Sequence, residues 1–437
     1  MSTRAREPLG VIGVGWVGLV TAASFANLGH DVVGLDVDPA RVEALSRGEV
    51  SLHEPGLTEL VRRNAARLRF TSDPAELFAR VRIAFVCVDT PPTASGDADL
   101  GRVHAVLDAL PPSAAGAILV MKSTVPAGTG RTLRHALDER GLLDVAYASN
   151  PEFLREGTAV RDFAEPDRVV IGADDPVIAE RIAALYAPIA EHIVRTDVTS
   201  SEMIKLASNA FLATKISFIN EVANVCEVVG ATIDEVARGM GLDRRIGASF
   251  LRPGIGFGGS CFPKDVSALK QLAGNTGYHF QLLASVIEVN ELQKRRVIGK
   301  LKAHLDSLRD RRIALLGLAF KPDTNDMREA SSLVLAARLL GEGAQVVAFD
   351  PAIDGAGKRG SLPHAVELCD SAEAAGEGAD AVVIVTEWPE FAAPVLDGRL
   401  LACMRTPLII DGRNLLDPIA VRAAGYVYEG VGRPAGD

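Results

Sequence analysis

Short apolar runs alternate with stretches of helical period along most of the chain. Leu9 to Ile12 is of strand length, Leu19 to Leu28 continues at helical spacing, and Asp31 to Leu35 is a second strand-like run ending at Asp36. Ile83 to Val88, Ile118 to Lys122, Val145 to Ser149 and Val169 to Gly172 repeat the theme. They follow one another at βα spacing, as in an open parallel sheet. From Ser200 to Val229 the pattern changes. Neither proline nor glycine occurs, and Met203, Leu206, Phe211, Ile216, Ile219, Val222 and Val225 recur at helical spacing. That predicts a helix of about 30 residues and about 45 Å, opened by the N-cap candidates Thr199, Ser200 and Ser201. Two helices with an unmarked break fit the same pattern. A helix of this length commonly joins two domains and forms a dimer seam.

In the last third, Arg312 to Leu316 ends at Gly317, Val346 to Phe349 at Asp350, and Ala381 to Val385 at Thr386. The order echoes the start of the chain. The expected class is α/β, with two Rossmann-like doubly wound domains joined by a long central helix. The expected parts are a dinucleotide-binding domain over 1–198, a helical dimerisation region over 199–300, and a second Rossmann-like domain over 301–437.

Composition narrows the class of partner. A formal net charge of −10 argues against nucleic acid, so an anionic ligand needs basic residues gathered locally. Five cysteines without a C-x-x-C pair do not read as a disulfide framework. The first residues lack the apolar core of a signal peptide, and no run is long enough to span a membrane. A cytoplasmic protein is expected, with no membrane partner and no metal.

The first turn carries the most explicit chemistry. Gly13-Val14-Gly15-Trp16-Val17-Gly18 sits between a strand and a helix, and Asp36 ends the next strand, 18 residues beyond the third glycine. Gly13 suits a tight turn, Gly15 close approach of a pyrophosphate, and Gly18 close packing of helix on strand. Asp36 favours NAD over NADP, because a carboxylate bonds a ribose hydroxyl and repels a 2′-phosphate. Arg41 has three readings: a phosphate partner, a group stacked beside the adenine, or a solvated helix residue. The polar ends of the later strands, Asp89-Thr90-Pro91-Pro92, Ser123-Thr124-Val125-Pro126 and Asn150-Pro151-Glu152, should gather near the nicotinamide, since ligands bind beyond the carboxyl ends of parallel strands. Gly317-Leu318-Ala319-Phe320 lacks the later glycines, so no second dinucleotide is expected there.

Gly254-Ile255-Gly256-Phe257-Gly258-Gly259-Ser260-Cys261-Phe262-Pro263-Lys264-Asp265 holds four glycines within six residues. Such a loop can wrap a ligand with its backbone. Cys261 follows, beside Lys264 and just before a helix that Pro263 can open, a setting that favours the thiolate. Lys205 and Asn209 lie four apart and share a helix face, and Asn220 further along reads as structural.

In that order, these motifs make the chain resemble the UDP-glucose/GDP-mannose dehydrogenase family. The resemblance also covers Asn150 to Gly157, Arg245-Ile246-Gly247, Leu318 to Thr324 and Asp411-Gly412-Arg413-Asn414. Trp16 stands where the family usually has tyrosine, and Asp89 where a small residue is common. The resemblance implies oxidation of a sugar nucleotide's C6 alcohol to a carboxylate with two NAD, the aldehyde being held on Cys261 as a thiohemiacetal and then a thioester. It implies UDP-glucose as substrate, with GDP-mannose as the alternative. A catalytically silent NAD-responsive protein would keep the first turn and lose Cys261.

The same resemblance implies the roles of individual residues. Lys205 assists proton transfer or stabilises an oxyanion, Asn209 holds the intermediate, and Thr124 holds a water or the substrate hydroxyl. Glu152 or Asp265 activates water. Cofactor contacts fall to Gly13 through Gly18, Asp36, Arg41, Thr90, Ser123, Thr124, Glu156, Lys264 and Arg328. The sugar nucleotide meets Glu152, Phe153, Leu154, Glu156, Lys205, Asn209, Phe250, Gly254, Gly256, Phe257, Gly258 and Phe320. Arg252, Lys321 and Arg413 are its cations, and Arg245 reaches across a homodimer built on the long helix.

Overall fold

The computed structural model describes residues 6–353 and 360–434. The chain divides into two compact units, one running to Ser208 with Gln271–Tyr278, the other comprising Asn209–Lys270 and the chain from His279 onward.

The first unit is built on eight strands: β1 Leu9–Ile12, β2 Val32–Leu35, β3 Leu68–Thr71, β4 Ile83–Val86, β5 Ile118–Met121, β6 Ala146–Ser149, β7 Val169–Gly172 and β8 Ile193–Thr196. Their order in the sheet is β3-β2-β1-β4-β5-β6-β7-β8. The order reverses at β1, where β1 pairs in parallel with both β2 and β4. All pairs are parallel except β6 with β7. Side chains alternate between two cores. Leu9, Val11, Ile83, Phe85, Ile118 and Val120 enter one, and Ile12, Ala84, Val86, Leu119 and Met121 the other. This two-sided burial is why the strands read as continuous apolar runs. β3 and β8 escape that pattern because they are half-exposed edges: Leu68-Arg69-Phe70-Thr71 and Ile193-Val194-Arg195-Thr196 carry polar residues outward.

The second unit holds β9 Arg312–Leu316, β10 Gln345–Phe349, β11 Glu367–Leu368, β12 Ala381–Ile384, β13 Leu408–Asp411 and β14 Val427–Glu429. The order is β11-β10-β9-β12-β13-β14, all parallel. Its two cores divide in the same way, with Ile313 and Leu315 on one side and Ala314 and Leu316 on the other. The long helix is unbroken over Val198–Val229, 32 residues. It starts in the first unit and continues into the second. Ile219, Ala223 and Cys226 from its later turns enter the core beneath β9. Four shorter helices begin at Asp-Pro pairs, where Asp38, Asp73, Asp175 and Asp417 accept first-turn N–H bonds and the proline fills the first helical position.

Candidate functional site

Each glycine of the first turn has its own reason. Gly13 has φ +86°, and a Cβ there would stand 3.1 Å from the Cys87 carbonyl oxygen. Gly18, in the first turn of the helix Trp16–Asn27, lies so near the end of β1 that a Cβ would stand 1.8 Å from the Gly13 oxygen. A Cβ on Gly15 would meet nothing within 4 Å. No contact within the protein demands that glycine, and the open space above it suits close approach of a ligand to backbone N–H groups at a helix start. Asp36 is buried. Its Oδ2 accepts from Val14 N–H at 2.9 Å and Arg41 Nη1 at 3.0 Å, and its Oδ1 from Asp38 N–H at 3.1 Å. Of the three readings of Arg41, none anticipated this pairing with Asp36. Beside them lies a cleft of about 280 Å³ lined by Val14, Asp38, Ala40, Arg41 and Leu52.

The strand-end loops are stitched together by their hydroxyls. Thr90 donates to the Thr124 carbonyl at 2.7 Å, and Ser123 to the Val88 carbonyl at 2.6 Å. The Thr124 loop continues to Gly128 and Gly130, whose N–H groups donate to the Glu202 carboxylate at 2.7 and 2.8 Å. Burial pushes the Glu202 carboxyl up to about 7, against the pull of those two N–H groups. Glu202 thereby fastens the loop to the first turns of the long helix, one turn before Lys205.

Lys205 reaches Glu152, with Nζ 2.8 Å from Oε1 and both side chains nearly inaccessible. The other Glu152 oxygen accepts from Leu154 N–H at 2.6 Å. Burial pushes the Glu152 carboxyl up, but the Lys205 ammonium and the Leu154 N–H outweigh it, and the group ends below its ordinary value. The Phe153 ring lies 3.5 Å from the Arg168 guanidinium and 5.3 Å from the Lys205 ammonium. A cavity of about 300 Å³ is bounded by Lys122, Asn150, Glu152, Phe153, Arg168 and Tyr186. At its base, Lys122 donates to Asn150 Oδ1 at 3.3 Å and to Tyr186 at 3.2 Å. Burial brings its ammonium down to about 8. Leu154 and Glu156 are half-buried on the same segment.

In the second unit the glycine loop is held from several sides. Gly254 N–H donates to Asn220 at 2.8 Å, and Gln293 donates to the Gly254 carbonyl at 2.9 Å. Asn290 accepts from Phe257 N–H at 2.8 Å and donates to its carbonyl at 3.0 Å. Arg413 donates to the Gly256 carbonyl at 2.9 Å. A Cβ on Gly258 would stand 2.3 Å from the Glu329 carbonyl oxygen, and one on Gly259 2.8 Å from the Phe320 ring. Cys261 ends the loop at the start of the helix Phe262–Asn275, where its carbonyl accepts from Asp265 N–H at 2.8 Å. Its Sγ lies 3.7 Å from Ser260 Oγ. Asp265 is buried. Asn209 donates to its Oδ2 at 2.6 Å, and the Lys264 ammonium stands 3.3 Å from its Oδ1.

Lys321 lies 5.5 Å from the centre of the Phe320 ring. Phe250 packs near Phe262 and has φ +64°, a left-handed conformation uncommon outside glycine and enriched at ligand sites. Arg252 is exposed, Arg245 is exposed and paired with Asp243, and Arg328 with Asp326.

Three family models cover most of the chain. They describe the NAD binding domain (residues 8–190), central domain (199–292) and UDP binding domain (314–418) of the UDP-glucose/GDP-mannose dehydrogenase family. The chain belongs to that family. A UDP-glucose 6-dehydrogenase of Pseudomonas aeruginosa is 46% identical over 97% of this chain and 97% of its own. UDP-glucose 6-dehydrogenase TuaD of Bacillus subtilis is 44% identical over 98% of this chain and 94% of its own. The solved UDP-glucose dehydrogenase of Pyrobaculum islandicum superposes with a TM-score of 0.91 at 38% identity, covering 99% of this chain and 100% of that one.

The first unit fits the NAD that the family uses: Gly15 is open, a carboxylate ends β2, and a cleft lies beside it. In the second unit Asp350 stands where Asp36 does in the first: it accepts from Leu318 N–H at 2.7 Å, as Asp36 does from Val14, and also from Ala319 N–H at 3.0 Å. Among the described residues no group of three or more His, Cys, Asp or Glu could hold a metal ion, and no helix is long and apolar enough to cross a membrane.

Glu54, Lys122, Asn290 and Gln293 are buried polar residues that the sequence did not single out, and it marked Glu202 only as close behind the N-cap candidates of the long helix. A lysine closing an apolar strand was a visible signal for Lys122. The others are charged or amide residues in ordinary helix or loop contexts, with nothing in their spacing to mark them.

Proposed function

We propose that the chain oxidises the C6 alcohol of UDP-glucose to a carboxylate, giving UDP-glucuronate in the cytoplasm. The observation that carries the reading is Cys261, placed at a helix start by a braced four-glycine loop, in a chain that also buries the Glu152–Lys205 pair. NAD, when bound, supplies the hydride acceptor for each of the two oxidations. Gly13 through Gly18, Asp36 and Arg41 would hold its adenosine and pyrophosphate. Thr90, Ser123, Thr124, Glu156, Lys264 and Arg328 would line the rest.

The protein groups divide the proton and covalent work. Glu152, kept ionised by Lys205, accepts the C6 hydroxyl proton directly or through a water on Thr124. The Lys205 ammonium stabilises negative charge on the substrate oxygen. The Cys261 thiolate, favoured by the helix start and Lys264, adds to the aldehyde carbon and forms a thiohemiacetal. Loss of the second hydride from that carbon leaves a thioester. Water activated by Glu152 or Asp265 attacks it, the C–S bond breaks, and the carboxylate departs. Asn209, fixed on Asp265, holds the intermediate. Lys321, Arg413 and Arg252 supply cations for the diphosphate. The backbone of Gly254 through Gly258, with Leu154, Phe250 and Phe320, encloses the remainder.

The protein acts as a homodimer. Phe211, Phe218 and Val225 are exposed at intervals of seven along the long helix, an apolar stripe that a second copy of that helix would cover. Arg245 reaches the neighbouring site. Light scattering should give twice the chain mass, and F218E should reduce it.

The decisive experiment is stoichiometric. With limiting UDP-glucose and excess NAD, two NADH should form per sugar, and an aldehyde trap should capture little. One NADH with accumulating aldehyde would remove Cys261 from the mechanism. Turnover of GDP-mannose in place of UDP-glucose would overturn the substrate.

A further inference from the structure

Glu54 is a buried carboxylate that accepts from three N–H donors in two separate places. Its Oε2 accepts from Trp16 Nε1 at 2.9 Å and from Gly157 N–H at 2.8 Å, and its Oε1 accepts from Ala159 N–H at 2.8 Å. Trp16 is the first helical residue after the open Gly15. Gly157 and Ala159 close the segment that begins with Glu152, Phe153 and Leu154. One side chain therefore joins the turn that would take a pyrophosphate to the segment that would take a sugar. The link is a side-chain bond spanning 38 residues on one arm and more than a hundred on the other. The tryptophan makes the first arm possible, since the indole N–H is a donor and nothing else.

We infer that Glu54 is a positioning residue that couples cofactor binding at the Trp16 turn to the placement of the Glu152–Gly157 segment, so that each ligand's affinity depends on the other through it. The inference rests on the proposed reaction for the identity of the two ligands. A carboxylate can accept on both oxygens. The isosteric amide of E54Q must turn an NH2 toward one arm and lose it. W16F removes the indole donor alone and leaves Glu54 to hold Gly157 and Ala159. By linkage, a coupling between two binding sites acts equally on both.

The experiment measures NADH binding, through NADH fluorescence, with and without saturating UDP-glucose, a pair that cannot react, and also kcat and KM for UDP-glucose, in wild type, E54Q and W16F. Wild type should bind NADH about 5- to 50-fold more tightly or more weakly when the sugar nucleotide is present. W16F should bring that ratio close to one. Its KM for UDP-glucose at subsaturating NAD should change several-fold. E54Q should lose the same coupling and also raise the UDP-glucose KM at saturating NAD. An unchanged binding ratio in W16F, or a loss of kcat with KM constant in both variants, would overturn the inference. Failure of the wild type to turn over UDP-glucose would instead overturn the proposed reaction.

Discussion

The Lys205 ammonium lies 2.8 Å from Glu152 Oε1, and both side chains are at most 6% exposed. Lys205 sits on the long helix and Glu152 just beyond β6, so the pair fixes the register between helix and sheet as well as two charges. Replacing one partner strands the other in a buried position. K205M should lower stability by about 3–5 kcal/mol in urea unfolding at neutral pH. E152Q combined with K205M should cost less than the sum of the single changes, because no buried charge is left alone. The Glu152 carboxyl lies below its ordinary value in the fold. Its contribution is therefore present above the unfolded value and lost as pH falls through the folded one. The gap between wild type and E152Q should accordingly narrow in acid.

Lys122 provides a test of opposite sense. In the fold its ammonium loses its proton near 8, against 10.5 as the ordinary value. Between those values the unfolded chain holds one more proton than the folded chain, so stability should rise with pH over that window. K122M lacks this term. The stability of wild type relative to K122M should therefore increase from pH 8 to 10.5, by as much as about 3 kcal/mol. Urea midpoints measured at several pH values check the slope, and a flat difference would mean that Lys122 is solvated in the native state.

Substituting the thiol separates binding from chemistry. C261S should lower turnover of UDP-glucose by at least about a thousandfold, since a hydroxyl is a far poorer nucleophile near neutral pH. Its NAD affinity should stay within about twofold, because no cofactor contact is removed. Titration of NAD against the variant, beside single-turnover kinetics, gives both numbers.

Cofactor choice should respond to Asp36. The carboxylate repels a 2′-phosphate and at the same time occupies Arg41. D36N removes the repulsion and frees the guanidinium, so the NAD-over-NADP ratio of kcat/KM should fall by about tenfold or more. A wild type that already prefers NADP would show that Arg41 outweighs Asp36.

Much of the fold was legible because its strands are short and covered on both faces. Burial of that kind leaves continuous apolar runs at Leu9–Ile12, Ile83–Val86 and Ile313–Leu316, the first and third ended by a glycine and the second leading to Asp89-Thr90. The glycines of the first turn were legible for a related reason. A backbone with φ +86°, or a helix position where a Cβ would stand 1.8 Å from a carbonyl oxygen, favours glycine strongly over any other residue. The edge strands β3 and β8 were not readable, since one exposed face mixes polar residues into the run.

By itself the sequence determined the class of fold, the long helix, the dinucleotide turn and the placement of Cys261 before a helix, because each depends on neighbours close in the chain. Only the tertiary structure decided which charges meet. Glu152 finds Lys205 across 53 residues, Asn209 finds Asp265 across 56, and Glu54 holds Gly157 across 103. Nothing in local spacing encodes such pairs. They arise when packing of the sheets and the long helix takes polar groups out of water, and each buried donor or acceptor must then take the partner that the fold has brought within reach.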